Sequence, residues 1–177
     1  MSDSSPFAAL EKFYQRNKQP LPEVELIEPE AIPEPYKSLL VHERDMTSTL
    51  ERFHGGRCHV HALQCIEDEN YSRLVVLELD KSDKPVEFGA ITIHLQNFDK
   101  VARDLILQRQ KPLGAILNEE NIPYVSSPQA FFRIACDELI CQTLRLENSE
   151  WLYGRCNCLT LKEGQILAEI VEVLPPA

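Results

Sequence analysis

A chain of 177 residues can bury one substantial core, and 44% hydrophobic with 26% charged content is that of an ordinary globular protein. A net charge of -10 argues against a nucleic-acid backbone or an anionic membrane as partner. No run approaches the ~18 apolar residues of a membrane span, and the opening MSDSSPFAAL lacks the basic and apolar regions of a secretory signal, so a cytoplasmic protein with reduced thiols is expected.

Ser5-Pro6 followed by Phe7, Leu10, Phe13 and Tyr14 predicts a short amphipathic helix. Gln19 to Pro35 interleaves five prolines with glutamates and reads as extended or irregular. Residues 1–35 are therefore taken as an N-terminal helix and a Pro/Glu-rich segment, ahead of a domain spanning 36–177. Tyr36 to His42 predicts another short helix. Ser48-x-x-Glu51, an apolar face at Leu50 and Phe53, and Gly55 mark a helix with a capping box and a glycine stop. The loop entering it carries Glu43 to Thr47. Asp45 or Thr47 could cap the helix, or the free N–H groups there could receive an anion.

Cys58 to Cys65, Tyr71 to Asp80 and Val86 to Leu95 predict three strands of an antiparallel meander. Phe98, Val101, Ala102, Leu105 and Ile106 mark a helix over Phe98 to Gln110, stopped by Lys111-Pro112-Leu113-Gly114. Ala130 to Leu146 fits both periods, with strand favoured towards its end. Cys156 to Leu161 and Gln165 to Leu174 flank Lys162-Glu163-Gly164 and predict a closing hairpin. The sum is α+β: a single antiparallel sheet with helices packed on one side.

Alternation on the last strand puts Glu169 on one face with Leu167, Val171 and Val173. A carboxylate among apolar neighbours is either raised in pKa or aimed at a ligand group, unless its head reaches water. His59 and His61 share a strand face, but two ligands without a third do not predict a metal. Cys58, Cys65, Cys136, Cys141, Cys156 and Cys158 form no C-x-x-C pair, and no phosphate loop or Ser–His–Asp set is present. No metal or cofactor is expected.

The order of these pieces resembles a known family. Arg44-Asp45-Met46-Thr47, Leu50-Glu51, Lys84-Pro85 with Gly89, Lys111-Pro112-Leu113-Gly114 with Leu117, Tyr153-Gly154-Arg155, and Leu167-Ala168-Glu169-Ile170 with Pro175 follow one another as in the chorismate pyruvate-lyase (4-hydroxybenzoate synthase) superfamily. The same fold serves as the effector-binding domain of certain bacterial transcription regulators. The resemblance spans 36–175 and implies an internal ligand pocket under loop flaps. It implies that Glu169 contacts a ring hydroxyl as the catalytic carboxylate, and that Met46 and Leu113-Gly114 lie on the flaps. Where the family has an arginine that grips the ring carboxylate, this chain has Val75. That exchange removes charge-assisted hydrogen bonds of about 1.5–3 kcal/mol each. Arg73, on the same strand face, and Arg155 are the candidate replacements, with Arg133 and Arg57 behind them. The expected activity is elimination of pyruvate from chorismate or a related cyclic carboxylate. The alternative is a non-catalytic binding protein for a small aromatic or acyl ligand. In either case the partner is a small carboxylate, with neither nucleic acid nor membrane.

Overall fold

The computed structural model describes residues 5–147 and 151–177. The first four residues of the expected N-terminal segment lie outside the described residues. Among the described residues, seven strands form one antiparallel sheet: β1 Val24–Leu26, β2 Cys58–Glu67, β3 Tyr71–Leu79, β4 Pro85–Ile93, β5 Val125–Ala135, β6 Trp151–Thr160 and β7 Ile166–Leu174. Their order is β1-β5-β6-β7-β4-β3-β2. Two meanders, β2-β3-β4 and β5-β6-β7, are joined where β4 pairs with β7, with Ile91 opposite Ile170.

The helices are α1 Ala8–Arg16, α2 Tyr36–Leu40, α3 Met46–His54, α4 Lys100–Leu107, α5 Leu113–Glu119 and α6 Glu138–Leu144. Helix α3 starts where Asp45 accepts the Ser48 N–H at 2.8 Å and ends at Gly55, whose φ of 65° is left-handed. The final turn closes through Gly164 at φ 95°. The Ala130 to Leu146 stretch divides: β5 runs to Ala135, and Asp137 then caps α6 by accepting the Ile140 N–H at 2.9 Å. The strand expected towards its end is thus a helix. Short apolar runs fit both periods, and here the cap decides. Tyr14 locks that cap by donating to Asp137 Oδ2 at 2.7 Å.

Helices α2 to α5 gather on one side of the sheet, as expected. They form two clusters there, α2 and α3 over Leu77, Val86 and Leu174, and α4 and α5 over Ile91, Ile93, Leu159 and Ala168. Helices α1 and α6 cover the reverse face, with Leu10 and Phe13 packed among Leu74, Phe88, Phe132, Val171 and Val173. The Pro/Glu-rich segment contributes β1, which pairs with β5 at the sheet edge. Two of the six cysteines, Cys136 and Cys141, are joined as a disulfide rather than reduced. No helix among the described residues is long and apolar enough to cross a membrane.

Candidate functional site

Between the two helix clusters the sheet is incompletely covered, and a cavity of about 60 Å³ remains. That exceeds the ~10–15 Å³ that one water needs. Its floor is Val60, Arg73, Val75, Leu77, Glu87, Gly89, Ile91, Asn157, Leu159, Ile170 and Glu172 from β2, β3, β4, β6 and β7. Its roof is the start of α3, Asp45 to Thr47, and the start of α5, Pro112 to Gly114. The two roof segments meet: a Cβ on Gly114 would lie 3.0 Å from Asp45 Oδ1, so glycine is what allows them to close. Tyr124 sits beside Asp45, and burial together with that carboxylate pushes its hydroxyl up to about 12.

The structure therefore brings five of the residues singled out in the sequence around one cavity: Met46, Arg73, Val75, Leu113 and Gly114. Arg73 is 2% exposed. Its Nη2 donates to the Lys111 carbonyl at 3.2 Å, while Nε and Nη1 have no hydrogen-bond partner. Burial lowers its pKa, yet a guanidinium stays protonated in a protein. A buried cation with two idle donors is costly unless something supplies an acceptor.

Arg155 is fully buried but already engaged. Its Nε pairs with Glu172 Oε2 at 2.5 Å. Its Nη1 donates to the carbonyls of Leu40 at 3.1 Å and His42 at 2.9 Å, and its Nη2 to that of Arg44 at 3.1 Å. It ties the α2–α3 loop to the sheet with four of its five N–H groups and is not among the residues lining the cavity, which corrects its expected role. Next to it, burial and the Arg155 charge lower the pKa of His42.

Glu169 is not in the cavity. It lies on the reverse face, in the row of Thr92 and Cys158, where it takes a 3.0 Å contact from His94 Nε2. That hydrogen bond holds its carboxyl below the usual range, against the opposing effect of burial. A carboxyl already ionised and turned from the cavity cannot serve as the proposed catalytic group. Of the weaker candidates, Arg133 pairs with Glu25 at 2.6 Å and Arg57 with Glu51 at 3.4 Å. His59 is engaged by Glu78 at 3.3 Å and Asp80 at 3.0 Å.

The two carboxylates on the cavity floor, Glu87 and Glu172, were missed. Glu172 is the partner of Arg155. Glu87 is 5% exposed, and its Oε2 has no hydrogen-bond partner. Burial first, and then the Glu172 carboxylate, raise its pKa well above the ordinary value. Its Oε1 lies 3.1 Å from where a Cβ on Gly89 would stand, so Gly89 provides the space for this carboxyl. Both glutamates sit in apolar strand sequences, VEFGAI and IVEVL, which is the signal that drew attention to Glu169.

No family model matches the chain, and no curated protein matches its sequence. Solved structures do match in fold. The fold resembles that of a regulator's ligand-binding domain. A ligand-binding domain described as that of a GntR-family transcriptional regulator, from Bordetella bronchiseptica, aligns over 66% of this chain and 84% of its own, with a TM-score of 0.51 at 11% identity. YydK from Bacillus subtilis, described as a transcriptional regulator, aligns over 96% and 92%, with a TM-score of 0.55 at 10% identity. PhnF from Mycobacterium smegmatis aligns over 94% and 93%, with a TM-score of 0.55 at 8% identity. These neighbours overturn the lyase expectation: the likeness is to effector-domain folds, not specifically to the lyase superfamily, and the carboxylate assigned to catalysis faces the other way.

Proposed function

We propose that this chain is a non-catalytic binding module for a small carboxylate with an apolar body, aromatic or acyl. The observation that carries the reading is Arg73, a buried guanidinium with two unpartnered nitrogens lining a cavity that is apolar apart from Asp45, Thr47, Glu87, Asn157 and Glu172. Arginine presents a rigid fork that suits a carboxylate, and burial strengthens the pairing. Val75, 8% exposed on the same strand face, gives the ligand's body an apolar wall. The starts of α3 and α5 act as lids that part to admit the ligand, because about 60 Å³ is less than the ~150 Å³ of a cavity that takes a benzene ring. The Bordetella bronchiseptica neighbour is a ligand-binding domain, and this reading gives the present chain the same kind of role, in the cytoplasm.

The test is a thermal-shift titration with benzoate and hexanoate, using benzyl alcohol as the uncharged control. The carboxylates are expected to raise the unfolding midpoint and the alcohol to leave it unchanged. Arg73→Met should fold, because it replaces an unpaired buried charge by an apolar chain of similar length, and should lose the response. A carboxylate response undiminished in that variant, or no response in the unmodified protein, would refute the assignment.

A further inference from the structure

The two buried side chains with idle polar atoms lie at different ends of the cavity and carry opposite chemistry. Arg73 reaches the Lys111 carbonyl beside Pro112. The Glu87 carboxyl lies over Gly89, which pairs with Val75 across the β3–β4 ladder. Arg73 is two residues from Val75, one pleat repeat of about 6.8 Å between backbone positions along the strand. Ile91, Leu159 and Ile170 line the space with Val75.

The charges near each end differ. No carboxylate pairs with Arg73 among the described residues. Glu87 faces Glu172 from β7, Arg155 from β6, Asp45 from the start of α3 and the Cys58 thiol from β2. Arg155 is committed to Glu172 and to three loop carbonyls. The Glu87 end thus has an excess of acidic groups and no available cation. A second ligand carboxylate would be repelled there, and a cation would be attracted.

Resting on the carboxylate-binding reading, we propose that the ligand is zwitterionic: an amino carboxylate whose carboxylate pairs with Arg73 and whose ammonium pairs with Glu87 across an apolar body. Such a molecule gives each unpartnered group its counter-charge and leaves the Arg155–Glu172 pair undisturbed. Burial and the neighbouring Glu172 carboxylate favour the protonated form of Glu87 while the cavity holds no cation. On binding, the Glu87 O–H bond breaks, the proton passes to solvent, and the carboxylate meets the ammonium. Affinity therefore rises with pH until Glu87 is ionised in the free protein as well.

The experiment is isothermal titration of the full chain with four rigid para-substituted benzoates: 4-methylbenzoate, 4-(hydroxymethyl)benzoate, 4-(aminomethyl)benzoate and terephthalate. The aminomethyl compound should bind more tightly than the methyl compound by about ten-fold or more, with terephthalate weakest. Titration in buffers of different ionisation enthalpy should show release of about one proton for the aminomethyl compound alone. Glu87→Gln should bring its affinity down to that of 4-methylbenzoate, whose own binding reports that the variant is folded. If the hydroxymethyl or methyl compound binds as tightly as the aminomethyl one, or if Glu87→Gln keeps the preference, the zwitterion assignment is wrong while the carboxylate reading stands. If none of the four binds, both fall.

Discussion

Replacing Arg155 by Met removes the cation from an ion pair in which both side chains are at most 5% exposed. Glu172 would be left charged and unpaired beside Glu87. Breaking a buried pair by deleting one partner costs about 3–5 kcal/mol. The carbonyls of Leu40, His42 and Arg44 lose their donor as well, although the last two can turn to water. For a chain of this size each kcal/mol moves the unfolding midpoint by about 2–4 °C, so a fall of about 6–20 °C is expected. Thermal and urea unfolding of Arg155→Met, Glu172→Met and the double variant measure this directly. The double variant should be more stable than Arg155→Met, because no buried charge is stranded. A single variant within about 1 kcal/mol of the parent would refute the structural role of Arg155, as would a double variant no better than the single.

Gly154→Ala should also be severely destabilising. An added Cβ would meet the backbone oxygen of Glu172 and lie 2.5 Å from Phe132 Cζ, and neither a ladder carbonyl nor a fully buried ring can yield cheaply. About 3 kcal/mol is expected in urea unfolding, whereas Gly56→Ala, whose nearest neighbour would be Leu79 Cδ2 at 3.9 Å, should be within about 0.5 kcal/mol of the parent. Glu169→Gln should leave carboxylate binding unchanged, since Glu169 lies outside the cavity; a lost benzoate response would return it to the site. The same variant tests its pairing with His94. A carboxyl lowered in the folded state contributes stability above its unfolded value of about 4.3, lost as pH falls further, so the parent's midpoint should drop more steeply below that pH than the variant's.

Much of the architecture was legible because local chemistry specifies it. The meander strands follow from alternation, the closing hairpin from Gly164, and the end of α3 from its left-handed glycine, whereas its start lies at Asp45 and not at the expected Ser48 capping box. The α6 segment was not legible. Its seven residues are too few to separate a 3.6 from a 2.0 period, and the Tyr14–Asp137 contact that secures its cap spans 123 positions. The Pro/Glu-rich segment concealed β1 because an edge strand of three residues has almost no pattern of its own.

The sequence by itself determined that carboxylates interrupt apolar strands; that Met46, Val75, Leu113 and Gly114 share a site was implied by the family resemblance, and the structure puts all four around one cavity. Alternation correctly grouped Glu169 with Val171 and Val173 on one face of β7, but not Leu167, which packs with Ile93 and Ala168 on the other side where the register shifts. Only the tertiary structure decided which face encloses the cavity. Both faces of this sheet are covered by helices, so an apolar neighbour is equally consistent with either. Helices α1 and α6 fill the face of Val171 and Val173, while the two helix pairs on the other leave the gap lined by Ile170 and Glu172. The partners of the two arginines are likewise a matter of long-range packing. Arg155 meets Glu172 and the α2–α3 loop, and Arg73 meets the Lys111 carbonyl with Tyr71 and Cys65 nearby, because β6 and β3 place them under different parts of the roof.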